Sequence, residues 1–170
     1  TPGAVAAPQT TAAMGSASMA SAKESADNYL GRALSSTEWN YLLRATYAEA
    51  SRHTEEEGYV MAVILNRVRV GKGGTDVVSV LNARKQFQSV TGTSHQPGHS
   101  SNFERGPDAE SLKSILAAAV NVLPRVNKNY LYFTAASKKA FGPGTDIKMR
   151  DAIIANGGIQ VGGSVFGTKA

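Results

Sequence analysis

The chain has no cysteine. Disulfides, thiolate metal centres and a cysteine nucleophile are therefore excluded. It also lacks a long apolar run. No stretch approaches the roughly 20 residues that a membrane helix needs, so no membrane insertion is expected. The N-terminus has neither the basic start nor the continuous apolar segment of a signal peptide. Charge of one sign is in modest excess, with 18 Lys and Arg against 13 Asp and Glu, a formal net charge of +5. The basic residues are scattered, and no dense run interleaved with aromatics marks a nucleic-acid groove. No nucleic-acid partner is expected, and the basic surface suits another polyanion, anionic lipid or an acidic cell envelope.

What is present is the composition of a globular protein. Apolar residues make up 42% and charged residues 18% of 170 positions, enough for one domain with its own core. Residues 1–26 are rich in Ala, Ser and Thr with few large apolar side chains. Such a segment buries too little surface to offset its ordering entropy, so it is expected to be a flexible arm or linker that orders against a partner. A chain that begins at Thr1 is read as a processed product or a piece of a longer protein.

The periodicity predicts a mainly α chain with a small β part. Trp39, Leu42, Leu43, Thr46, Tyr47 and Ala50 form one helical stripe, with Ser36 as the expected N-cap and Glu49 on the stripe's edge. Thr54-Glu55-Glu56-Glu57 fits a capping box with an acidic first turn. The helix it opens is apolar almost all round to Val68, as a central buried helix would be, and Gly71 to Gly74 ends it. A short helix is expected at Asp76–Leu81 and another helix at Asp108–Leu123, with Asp76 and Asp108 as caps and Pro124 as the stop. Residues 91–107 read as a long loop. Tyr130–Phe133 reads as extended, Ile147–Ala155 as helix, and Ile159–Phe166 as a hairpin about Gly162-Gly163.

Several residues are candidates for chemistry. Glu49 could donate a proton if an apolar wall disfavours its charged form; otherwise it is a solvated helix glutamate. Asn66 lies in the most apolar helix, so its amide serves either a structural hydrogen bond or a ligand. Gln86 beside Phe87 either binds substrate amides or caps a turn. Tyr130, Tyr132 and Phe133 are core or a sugar-packing surface. His95 and His99 have the spacing of a zinc pair, but Pro97-Gly98 between them argues against the helix it needs, and His53 is the only other histidine. No metal or other cofactor is expected. No serine sits in a nucleophile elbow.

Tyr47-Ala48-Glu49-Ala50 followed by Ala62-Val63-Ile64-Leu65-Asn66-Arg67-Val68 resembles the cell-wall hydrolase family typified by the spore-cortex-lytic enzymes. In the same order the family carries a Gln-Phe pair, matched by Gln86-Phe87, and a Tyr-Phe element, matched by Tyr132-Phe133. Its closing element is similar to Ile159–Phe166. The chain departs from the family at Ser51-Arg52-His53-Thr54, where an Arg-Gly-Glu-like turn is usual, and at Ser164, where His is usual.

The resemblance implies a lysozyme-like α+β single domain over residues 27–170. It implies cleavage of the β-1,4 bond between N-acetylmuramic acid and N-acetylglucosamine in peptidoglycan, as a muramidase or a lytic transglycosylase. Glu49 would be the catalytic acid, and Gln86, Phe87, Tyr132 and Asn66 would position substrate. The expected setting is virion-associated or exported, in the periplasm or cell wall, with the arm contacting other virion or tail proteins. The rivals are a non-catalytic peptidoglycan-binding or virion structural module and a metal-dependent amidase or endopeptidase.

Overall fold

The computed structural model describes residues 17–50, 54–83, 101–136 and 145–169. The described residues form seven α-helices and a small antiparallel sheet. In chain order these are α1 (Met19–Leu30), α2 (Ser36–Glu49), α3 (Thr54–Val70), α4 (Val77–Leu81), α5 (Ser101–Arg105), α6 (Ala109–Asn121), β1 (Tyr132–Ala135), α7 (Thr145–Ala155), β2 (Ile159–Val161) and β3 (Ser164–Gly167). A 3₁₀ turn, Leu123–Arg125, follows α6 and carries Pro124 inside it. The proline ends the α-helix but is compatible with a 3₁₀ start, where its missing N–H is not needed.

The stripe on α2 is buried as a unit. Trp39, Leu42, Leu43, Thr46, Tyr47 and Ala50 are all buried. The N-cap, however, is Ser35 rather than Ser36. Ser35 Oγ accepts from the Glu38 N–H at 3.0 Å, and the Glu38 carboxylate accepts from the Ser35 N–H at 3.0 Å. This reciprocal box satisfies two of the helix's orphan donors.

Helix α3 runs through the middle of the domain. Val60 to Val68 are buried without interruption, and α1, α2, α6 and the sheet all pack on α3. Burying each large apolar side chain contributes about 1.5–3 kcal/mol, so this helix adds substantially to core stability. Gly58 lets it approach closely, because a Cβ there would collide with Val122 and the Leu123 backbone.

The arm expected over residues 1–26 is shorter on its C-terminal side. Residues 19–30 form α1, capped by Ser18, and Ala22 and Ala26 are wholly buried. Tyr29 donates its hydroxyl proton to the Val126 carbonyl at 3.0 Å. Small side chains look unlike a core in sequence, yet here they allow close packing of α1 on α6. Residues 1–16 lie outside the described residues. The end of the expected 91–107 loop is also different, since Ser101–Arg105 is helix α5.

The sheet order is β1–β3–β2. The hairpin β2–β3 turns at Gly162, whose φ of 59° favours glycine. Phe133 pairs with Phe166 across β1 and β3, and their rings stack with centroids 5.5 Å apart. Phe166 also meets Tyr59 of α3 at 5.3 Å, which anchors the sheet on the central helix.

Candidate functional site

Helices α2 and α3 pack against each other and are joined by a short connection, so the end of α2 and the start of α3 lie at the same end of the pair. This end is rich in carboxylates. Glu49 is the last residue of α2 and is half-buried. The first turn of α3 carries Glu55, Glu56 and Glu57. Glu55 pairs with Arg125 at 3.1 Å on the surface. Glu56 and Glu57 are each only 1% exposed. One Glu56 oxygen accepts from the Gly163 N–H at 2.9 Å, and the other accepts from the Ser164 hydroxyl at 3.3 Å. Glu57 accepts from the Ser114 hydroxyl at 2.5 Å. Thus Glu56 ties the hairpin turn to α3, and Glu57 ties α6 to it.

Helix α5 lies along α2 toward Glu49. Phe103 meets Tyr41 edge-on at 5.1 Å, and Arg44 donates to the carbonyls of Phe103 and Glu104 at 3.3 and 2.6 Å. Arg105 donates to the Tyr47 hydroxyl at 3.4 Å and to Asn102 at 2.6 Å. An exposed guanidinium is therefore held at the level of Tyr47, two residues before Glu49.

The other end of α3 is basic. Arg67 is 5% exposed and donates its Nε–H to the Leu131 carbonyl at 2.7 Å. Arg69 donates to Asn66 Oδ1 at 2.7 Å and to the Tyr29 carbonyl at 2.6 Å. The half-buried Tyr132 ring has Arg67, Lys72 and Lys169 at 5.1, 5.0 and 4.5 Å from its centre. Each lies within 5.1 Å of one point, so no two of these cations are more than about 10 Å apart, roughly a Debye length. Burial opposes ionisation of the Tyr132 phenol. The adjacent Lys72 ammonium, with the charges of Lys169 and Arg67, outweighs it and holds the phenol below its ordinary 10.0. Among the described residues neither Lys72 nor Lys169 forms a salt bridge.

The residues predicted from sequence are thus not all together. Glu49 stands at the acidic end. Tyr132 stands beside Arg67, eleven residues along α3 from Glu56, which is roughly 16 Å at 1.5 Å per residue. Strand β1 (Tyr132–Ala135) runs between the two levels, and just past it the Ala136 N–H donates to the Gly163 carbonyl at 2.9 Å. Asn66 is wholly buried, and its amide donates to the carbonyls of Asn127 and Tyr130 at 3.2 and 2.9 Å. With Oδ1 accepting from Arg69, Asn66 makes the structural hydrogen bonds that were the alternative to a ligand contact, and it fixes the turn before β1. Phe133 belongs to the core side of β1. Gln86, Phe87, His53, His95 and His99 lie outside the described residues. Among the described residues no group of His, Cys, Asp and Glu could hold a metal ion, and no helix is long and apolar enough to cross a membrane.

Sequence reading missed Arg105, Lys72 and Lys169. Arg105 was assigned to a loop, although Phe103 two residues earlier marks a buried anchor. Lys72 and Lys169 are 97 positions apart and meet only because β1 pairs with β3, with Tyr132 opposite Gly167. No local pattern could have joined them. An open groove of about 450 Å³ between α1 and the end of α6, lined by residues such as Ser25, Tyr29 and Lys128, contains none of the candidate residues.

Comparison with protein-family models, with curated proteins and with solved structures finds no match.

Proposed function

We propose that the chain cleaves peptidoglycan glycan strands at the N-acetylmuramic acid–β-1,4–N-acetylglucosamine bond, with Glu49 as the acid. The observation that carries this reading is the placement of Glu49. It is half-buried at the C-terminal end of α2, on the edge of the stripe that faces the core, the kind of place a glycosidase acid occupies. A mainly helical domain with a central buried helix and a small sheet beside it is also what a lysozyme-like enzyme would have.

In this reading Glu49 protonates the glycosidic oxygen as the bond breaks, and positive charge develops on the muramic ring. Many glycosidases use a second carboxylate for that charge. Here Glu55, Glu56 and Glu57 hold Arg125, the hairpin turn and Ser114, which favours a single-acid mechanism. The substrate's own acetamido group then assists, and the Glu49 carboxylate acts next as base. Activating the muramic 6-hydroxyl gives a 1,6-anhydro product, as lytic transglycosylases do; activating water gives a muramidase product. Tyr132 would serve a remote part of the strand, not the scissile bond. The net charge of +5 would keep the enzyme near an anionic envelope, from a virion or after export.

Digestion of purified sacculi by the wild type and by Glu49→Gln tests this. Disaccharide-peptides released by the wild type alone support it, and a mass deficit of one water identifies the anhydro route. Intact glycan with freed peptides would favour an amidase or endopeptidase. Binding without any cleavage would favour a non-catalytic module.

A further inference from the structure

We infer that Tyr132, Lys72, Lys169 and Arg67 form an oxyanion-binding site, whose ligand is a carboxylate or phosphate group on the polymer the chain works on. The chemistry of the site follows from its own residues. Only the identity of the polymer rests on the peptidoglycan reading.

Three cations converge on one ring at 4.5–5.1 Å. They repel one another. Among the described residues no carboxylate pairs with Lys72 or Lys169. The dipole at the end of α3 accounts for Arg67 and Lys72, which belong to its last turn and the residues just past it. It does not account for Lys169, which lies two residues past β3. Arg67 is held by the Leu131 carbonyl and is 5% exposed, so one charge is fixed at the floor. Lys72 is half-buried and Lys169 exposed, so two ammonium groups stand at the mouth. An oxyanion seated there would take charge-assisted hydrogen bonds from both lysines and the Tyr132 hydroxyl. A peptidoglycan stem peptide offers carboxylates of this kind, along the strand from the bond that Glu49 would cut.

The test uses the whole chain carrying Glu49→Gln, so that no substrate is consumed. Calorimetric titration is made with inorganic phosphate, with a soluble stem peptide bearing free carboxylates, and with the same peptide amidated. The site predicts binding that weakens at least about tenfold in Lys72→Gln/Lys169→Gln. It should persist in Lys113→Gln/Lys148→Gln, which removes the same net charge from exposed positions elsewhere. Peptide binding lost on amidation identifies a carboxylate ligand. Binding of phosphate alone identifies a phosphoryl ligand. Absence of binding by all three probes, or equal weakening in both double variants, overturns the site. Full turnover in Glu49→Gln would sink the glycosidase reading and leave this titration as it stands.

Discussion

At its N-terminal end α3 carries Glu55, Glu56 and Glu57; at its C-terminal end come Arg67, Arg69 and then Lys72. Both sets agree with the helix dipole, so the dipole does not explain how differently they are used. At the acidic end the buried charges serve architecture, since Glu56 and Glu57 close on Gly163, Ser164 and Ser114. At the basic end Arg69 and Asn66 serve architecture, while Lys72 and Lys169 gather around Tyr132 with no carboxylate among the described residues. A charge reads as functional when the fold assembles it without neutralising it. Residue type and helix position alone do not reveal that.

The comparison is tested most severely by turnover. Replacing Glu49 with Gln should lower cleavage of sacculi by about 10²–10⁴-fold, the usual worth of a positioned acid. Tyr132→Phe should cost far less, because the ring lies at the other end of α3. Product release followed by mass spectrometry measures both. Equal losses would mean that the two ends form one site and that the separation along α3 is irrelevant.

Stability should show the reverse order. Glu56→Ala leaves the Gly163 N–H and Ser164 hydroxyl without their acceptor and opens a void at a fully buried position. The expected loss is about 2–4 kcal/mol in urea unfolding. Lys169→Gln at an exposed position should change stability by less than about 0.5 kcal/mol. A Glu56→Ala variant as stable as the wild type would remove the architectural role assigned to the acidic end.

A third carboxylate separates pairing from helix position. The Arg32 guanidinium grips Glu38 through two bonds of 2.9 Å, and with the N–H groups of Ser35 and Val77 it holds the acid at about 2 against an ordinary 4.5. The folded value is depressed, so its stabilisation is complete above pH 4.5 and is lost as pH falls toward about 2. The contribution is on the order of 2 kcal/mol after discounting for an Arg32 side chain that is 44% exposed. In Glu38→Gln, stability should vary less with pH across this window. Acid unfolding curves of the two proteins, if parallel, would count against the pair.

Much of this arrangement was readable in the sequence, and the physical reason is periodicity. The α2 stripe, the apolar α3 and the Gly162-Gly163 hairpin each carry a local pattern, and each formed as expected. Asp76 and Asp108 cap their helices because a side-chain oxygen near a free N–H needs no tertiary context. Helix α1 was misread because Ala22 and Ala26 signal a core only when a partner surface is known. The burial of Glu56 and Glu57 was hidden for a similar reason, since their partners lie 107 and 57 positions away. For the candidate site, Glu49 and Tyr132 were nameable, but their separation along α3 and the lysines around Tyr132 arise from strand pairing.

The smallest expected effect bears most directly on the basic end. The cations around Tyr132 hold its phenol below 10.0, so on raising the pH it should ionise before an unperturbed tyrosine. Absorbance near the phenolate band should show an early step that disappears in Tyr132→Phe and moves upward in Lys72→Gln. The linkage has the same sign as that of Glu38. An acid with a lowered folded value binds fewer protons folded than unfolded, so stability rises with pH in the window just below 10.0 and gains nothing near neutrality. The effect is small because the ring is half-buried and salt screens the cations. Raising the ionic strength should therefore push the early step upward. A step that ignores both salt and Lys72→Gln would mean that the cations do not act on the phenol, and the contrast between the two ends of α3 would reduce to the helix dipole alone.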